Sequence, residues 1–441
     1  MLNFTTVLAF IFFTGISCDY VVDHVFTHML NSSVDSCDNF YRHVCGVETK
    51  YGMKRLGLKI LEEDYSKLTV FDEVSEYMME LIKCSETNYI KGTVSDKLKS
   101  LFEKSIQNDF LENWESHLVQ NYKLGCETVI RTNKERLWLH ANGNMIDAFN
   151  IIFDELKTIF HTWIEDTPSL KKHNVVQKYH DKLLNLTLYD MSASERISQL
   201  TNEYKNCQKF LISWIDDASL ANLICIDQSY SRFGENNNRA VIGYTARNKK
   251  SVVYIGLPFY AIASRVGTEA FFIGLVGSLI GHEISHSLIQ SRGEELELFF
   301  SQRTTNCIQN QFYKTCHYFN VSSDNCIQYT GRIDDNGSDL LGFRGALQFA
   351  KNHMGATLNE FNDEYRIYTN LQLLFMGQSA FFMCMNIRSS GYRHSPSPIR
   401  SNAVAAQNSE FLSAFKCGPD SKMAKSLHKT CYILGPDASS E

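Results

Sequence analysis

Between about 60 and 230, apolar residues recur at steps of three and four and prolines are few, a spacing that predicts helices packed on one another. Met145, Phe149, Ile152, Phe153, Leu156, Ile159, Phe160 and Trp163 make one such face, and its simplest meaning is a stripe turned towards a core. Near 240 the period changes. "VIGYTARNKKSVVYIG" holds two short β-prone pieces joined by a polar, basic turn, which predicts a hairpin or an edge strand. After it, "GTEAFFIGLVGSLIGHEISHSLIQ" returns to a helical pattern and is nearly all apolar before Gly281. His282 and His286 are therefore expected on a largely buried helix. The chain shows no internal repeat and no low-complexity segment.

Composition narrows what such a chain can do. With 441 residues, 44% of them hydrophobic, and a formal charge of -6, it is long enough for two or three lobes with cores of their own. It carries no basic patch of the kind that follows a phosphate backbone, which argues against nucleic acid as a partner. Residues 1–18 hold an apolar run from Val7 to Phe13 followed by Gly15 and Ser17, the arrangement of a cleaved signal peptide. The mature chain is expected to begin near Cys18 or Asp19. The alternative is an uncleaved type II membrane anchor, the one case in which membrane association is expected, although the run is short against the roughly 20 apolar residues of a bilayer span. Of thirteen cysteines, setting Cys18 aside leaves an even twelve, which together with an export signal predicts disulfides. Sequons begin at Asn31, Asn185, Asn320 and Asn336; the first three are candidate glycosylation sites, and Asn336 is expected to stay unmodified if its helix is buried. The reading is a secreted, extracellular protein.

Candidate chemistry lies in "GHEISHS". Two histidines four apart on a helix point the same way and can meet one zinc ion, while the Glu after the first reaches water on that ion. Two core histidines with satisfied ring nitrogens are the bland alternative. A catalytic zinc needs three protein ligands, so a third must come from elsewhere.

"GHEISHS" is followed by "DDNGSDLLGFRGAL", "RHSPSPIR", "QNSEFLSAFKC" and "CYIL", and near the other end stands "VDSCDNFYRHVCG". In these stretches the chain resembles the neprilysin family of zinc metallopeptidases, neprilysin and the endothelin-converting-enzyme-like proteins, as a shortened and divergent member. The resemblance implies a mainly α fold with a small β-sheet: a zincin-type catalytic domain over 231–441, beside an N-terminal segment and reduced helical lobe over 19–230. It implies Zn2+ as cofactor and small extracellular peptides as partners. Residue by residue, it makes His282 and His286 zinc ligands, Glu283 the catalytic base, His394 the donor to the tetrahedral oxyanion and Arg400 the group that grips a substrate carbonyl. It further implies disulfides Cys37–Cys417 and Cys45–Cys384, and Cys431 with Cys307 or Cys316.

In the family's second helix the pattern is Glu-x-x-x-Asp-Asn-Gly, with the Glu as third zinc ligand and the Asp orienting a ligand histidine. Aligned on Asp335-Asn336-Gly337, that pattern puts Asp335 in the orienting role and Gly331 where the ligand belongs. A glycine has no side chain to offer, so Asp335 or Asp334 becomes the possible substitute; Glu294, Glu295 and Glu297 are more remote ones. Other departures add to this. Ile242 and Gly243 stand where the family holds substrate backbone with an Asn-Ala pair, "SLI" replaces Gly-Phe-Asp after His286, Tyr392 replaces an acid, and Leu434 a tryptophan. Two functions are thus expected: a zinc metalloendopeptidase degenerate at its third ligand, or a catalytically inactive relative that binds extracellular peptides.

Overall fold

Helices and one small sheet form the computed structural model, which describes residues 19–46, 52–67, 138, 142–189, 242–247, 250–289, 299–319, 326, 332–381 and 394–438. The fold is mainly α, as expected. The chain divides into two compact units: Met1–Ile60, Asn144–Tyr189 and Val241–Glu441 form the first, Leu61–Gly143 and Asp190–Ala240 the second. The first unit therefore draws on both sides of the boundary expected at 230/231. The reduced helical lobe falls mostly in the second, largely outside the described residues; the signal segment, Asn320, Gly331, Cys384, Tyr392 and Glu294, Glu295 and Glu297, all in the first, are outside them too.

The first unit is built on α1 (Gly143–Asp166), whose expected stripe is its buried face. Phe149 meets Phe259, Tyr260 and Phe272 at ring separations of 5.8, 4.6 and 6.2 Å, while Trp163 is only half-buried and stacks on Phe160. A short helix, Pro168–Lys172, leads to α2 (Val176–Leu184) and then to β1 (Leu186–Tyr189). The predicted hairpin is present as β2 (Ile242–Arg247) and β3 (Lys250–Ile255), antiparallel with Ile242 opposite Ile255. β1 corrects the all-helical reading of 60 to 230. "LTLY" pairs parallel to β3, from Leu186 opposite Ser251 to Tyr189 opposite Tyr254, giving the order β1-β3-β2. Four residues are too few to show a period, so its strand character comes from the edge it meets.

The apolar segment after the hairpin is one continuous helical rod: Glu269–Phe272, a wide π-type turn over Ile273–Gly277, and α3 (Ser278–Leu288). α3 packs on β2, β3 and α2, and most closely on α5 (Ile333–Met354), which follows α4 (Gln302–Tyr318). The crossing is tight because Gly281 faces Gly342: a Cβ on Gly281 would lie 2.7 Å from the Gly342 carbonyl oxygen. Leu156 and Phe160 of α1 close on α5 at Gly345 in the same way. Behind these lie α6 (Asn370–Phe381) and α7 (Ser397–Ala406), the latter against α4, α5 and the short helix Phe40–Val44.

Disulfides join the ends of this unit. Cys37 is bonded to Cys417 and Cys307 to Cys431, which selects Cys307 over Cys316 as the partner of Cys431. Cys316 pairs instead with Cys326. Cys45 is disulfide-bonded too, and its expected partner Cys384 is outside the described residues. Among the described residues no helix is long and apolar enough to cross a membrane. Asn185 is exposed just past α2, Asn31 is half-buried, and Asn336 is fully buried, accepting a 2.8 Å hydrogen bond from Ser395 Oγ.

Candidate metal centre

α3 is buried on nearly every side, and that burial carries His282 and Glu283 inside with it, at 3% and 8% exposure. One helical turn separates His282 from His286, and their Nε2 atoms converge to 3.0 Å with the rings at 86° to one another. α5 crosses here and brings Asp335: its Oδ1 lies 3.6 Å from His282 Nε2 and 3.9 Å from His286 Nε2. The other oxygen, Oδ2, is buried with no hydrogen-bond partner among the described residues. Asp339, one turn further along α5, sits behind His282, its Oδ1 2.9 Å from Nδ1. Arg400 on α7 locks that carboxylate from the far side, donating from Nε to Oδ2 at 2.7 Å and from Nη2 to Oδ1 at 2.6 Å. His394 Nδ1 lies 2.8 Å from Asp335 Oδ1, and 54% of its side chain is exposed. Ser338 Oγ stands 3.5 Å from His286 Nδ1.

These residues fit a zinc ion. Bonds of about 2.0–2.1 Å at tetrahedral angles place donor atoms roughly 3.3 Å apart. The observed separations of 3.0, 3.6 and 3.9 Å bracket that value, and His282, His286 and Asp335 together form a potential metal-holding group. The two histidines are also tuned differently. Burial and the neighbouring His282 push the His286 imidazole down to about 3, so it is neutral and has a lone pair to give. Burial pushes His282 the same way, but the hydrogen bond and charge of Asp339 outweigh it and leave the ring above its ordinary value. Burial raises Glu283, with Asp335 adding to the rise and His282 opposing it. Burial would raise Asp335 as well, yet the charge of Arg400 and the hydrogen bond from His394 hold it well below the usual carboxylate range.

Set against the sequence, the site contains His282, Glu283, His286, Asp335, His394 and Arg400 together, with three corrections. First, the register of α5 is one turn later than the Asp-Asn-Gly match implied. The carboxylate at the histidine pair is Asp335, and the one orienting a ligand histidine is Asp339, a residue the sequence reading missed. The signal was present as Asp-x-x-x-Asp over 335–339, masked by the three-residue match beside it. Asp334 is half-buried and enters none of these contacts. Second, Arg400 is only 11% exposed and commits two of its nitrogens to Asp339, behind His282, a pairing the sequence did not predict. Third, Ser338, which the sequence reading did not single out as a site residue, stands beside His286. Ile242 lies in β2, the strand on α3, where its backbone pairs with Ile255.

Residues 253–431 match the family model described as peptidase family M13. Over that span the chain is similar to the M13, or neprilysin, family. The M13 span includes every residue of the centre just described. Among solved structures, the zinc metalloprotease Zmp1 of Mycobacterium tuberculosis, in complex with an inhibitor, is similar over 68% of this chain and 49% of its own, at 17% identity and a TM-score of 0.44. This chain therefore spans about half the length of that M13-type protease. No curated protein matches it.

Proposed function

We propose that this chain is a zinc-dependent peptidase of an extracellular compartment that acts on small peptides, with His282, His286 and Asp335 holding the metal. The observation that carries the reading is the convergence of three donor atoms from α3 and α5, with Asp339 and Arg400 fixing one of them from behind. Zinc bound there supplies a Lewis acid that acidifies water and polarises a peptide carbonyl. The chain's own residues do the rest. Asp339 fixes the ring orientation of His282 and directs Nε2 inward. Glu283, next in sequence to His282 and buried, takes a proton at its carboxylate and returns it to the departing amine. His394, anchored at Nδ1 and exposed on its outer side, donates to the carbonyl oxygen as charge builds there. The disulfides, the expected signal and the exposed sequon at Asn185 support the compartment.

A second reading rests on Ile242. An aliphatic residue there offers no side-chain amide to a substrate backbone, which favours a protein that binds peptides without turning them over. The test is zinc content of the secreted full chain together with cleavage of a quenched fluorescent peptide library. The peptidase reading expects one tight zinc in this centre, held through Asp335, and cleavage that falls by about 10²–10⁴ in Glu283→Gln. Asp335→Ala should lower zinc affinity at least about 100-fold, since outer-sphere partners alone are worth up to that much, and Gly331→Glu should change it little. Tight zinc with no cleavage would select the binding reading, and full affinity in Asp335→Ala would sink both.

A further inference from the structure

A second group of metal-ligating side chains lies where α1 ends and α2 passes it. His161 and Glu165 are one turn apart on α1, and His180 comes from α2; each offers a ligand atom, all within 4.8 Å of one another. His161 Nδ1 lies 3.9 Å from Glu165 Oε1, and these two side chains are 44% and 55% exposed. His180 is different, only 8% exposed, and its Nε2 is buried with no hydrogen-bond partner among the described residues. Leaving a buried imidazole nitrogen unpaired is destabilising relative to a satisfied one, and a cation is one partner that would remove that cost.

We propose that His161, Glu165 and His180 form a second divalent-cation site, selective for zinc or a similar borderline metal and independent of the centre on α3 and α5. Two imidazoles and one carboxylate are a zinc-type donor set, and the accessible side leaves a fourth position to water. The imidazoles now stack at 3.7 Å with 14° between their planes, so their lone pairs lie in nearly parallel planes and cannot both point at one ion. Loading requires one ring to turn, and the exposed His161 is the one with room. Glu165, on the next turn of the same helix, then closes the third side. The bound ion clasps the end of α1 to α2. Because α2 packs directly against α3, the clasp braces the helix that carries His282, Glu283 and His286.

Metal-stripped full-length protein is titrated with Zn2+ against a chromophoric chelator, and again with Co2+, whose visible absorption reports tetrahedral nitrogen and oxygen ligands. Two equivalents are expected. His161→Ala and Glu165→Gln, both at exposed positions that tolerate change, should each weaken one equivalent more than about 100-fold and leave the other unchanged. The double variant His282→Ala/His286→Ala should retain the second equivalent at its original affinity. A single equivalent that disappears in that double variant would overturn the proposal without touching the peptidase reading. Two equivalents that both survive His161→Ala and Glu165→Gln would overturn it as well.

Discussion

Asp339 is the residue whose importance is least visible from its type and most visible from its place. It contributes nothing to the three converging donors, yet it holds His282 Nδ1 on one side and takes two hydrogen bonds from Arg400 on the other. Such partners of a ligand are worth about 10–100-fold in metal affinity. Asp339→Asn should therefore cost zinc affinity in that range with the fold retained, and the same competition titration reads it out. The histidines and Glu283 were legible from spacing alone, because a helix puts i and i+4 on one face whatever surrounds it. Asp335 was legible only as one of two possible substitutes and Asp339 was not, because spacing within α5 defines a face but not which turn of that face meets α3. The three-residue match to a family pattern gave Asp335 an orienting role and left Asp339 unread.

The turn of α5 that meets α3 is chosen by packing between elements. Gly281 and Gly342 let the two backbones approach until any side chain at either position would collide with the other helix. That contact lies next to His282 on α3 and, on α5, seven residues beyond Asp335 and three beyond Asp339, so it sets how near the carboxylates come to the imidazoles. A methyl group at the crossing should push the helices apart: Gly342→Ala is expected to destabilise by about 1–3 kcal/mol, the usual cost of overpacking, and to weaken zinc binding in parallel. Chemical unfolding and zinc titration on the same sample test both halves. Further along α5, Lys351 donates to Glu410 in the short helix Ser409–Ala414. Burial pushes the Glu410 carboxyl up, but the bond from Lys351 outweighs it and leaves the group below its ordinary value. A depressed acid contributes stability that is present above its unfolded value and lost as pH falls through the folded one. Both side chains are about a third or more exposed, so the contribution is under about 1 kcal/mol. Glu410→Gln should flatten the acid side of the stability profile, as pH falls below the ordinary carboxylate value of 4.5, by that small amount.

Across the whole molecule the long-range cross-links matter most. Cys37 and Cys417 are 380 residues apart in sequence, and closing so long a loop restricts the unfolded chain by about 3–5 kcal/mol on an entropic account. The double variant Cys37→Ser/Cys417→Ser should lose that much stability and release the stretch around Phe40–Val44 to faster hydrogen exchange, since Phe40 is held there against Phe411 and Phe415. Unchanged exchange in that stretch would mean that aromatic packing alone holds it. The helical class, the stripe on α1, the hairpin and the burial of the HExxH helix all follow from local pattern, because periodicity and local apolar content depend only on neighbours in the chain. The third strand, the choice of Cys307 for Cys431, and the pairing of Asp335 and Asp339 with the histidines do not. Each depends on which surfaces meet across long separations, and that is decided by close packing, here at two glycines, which no local pattern encodes.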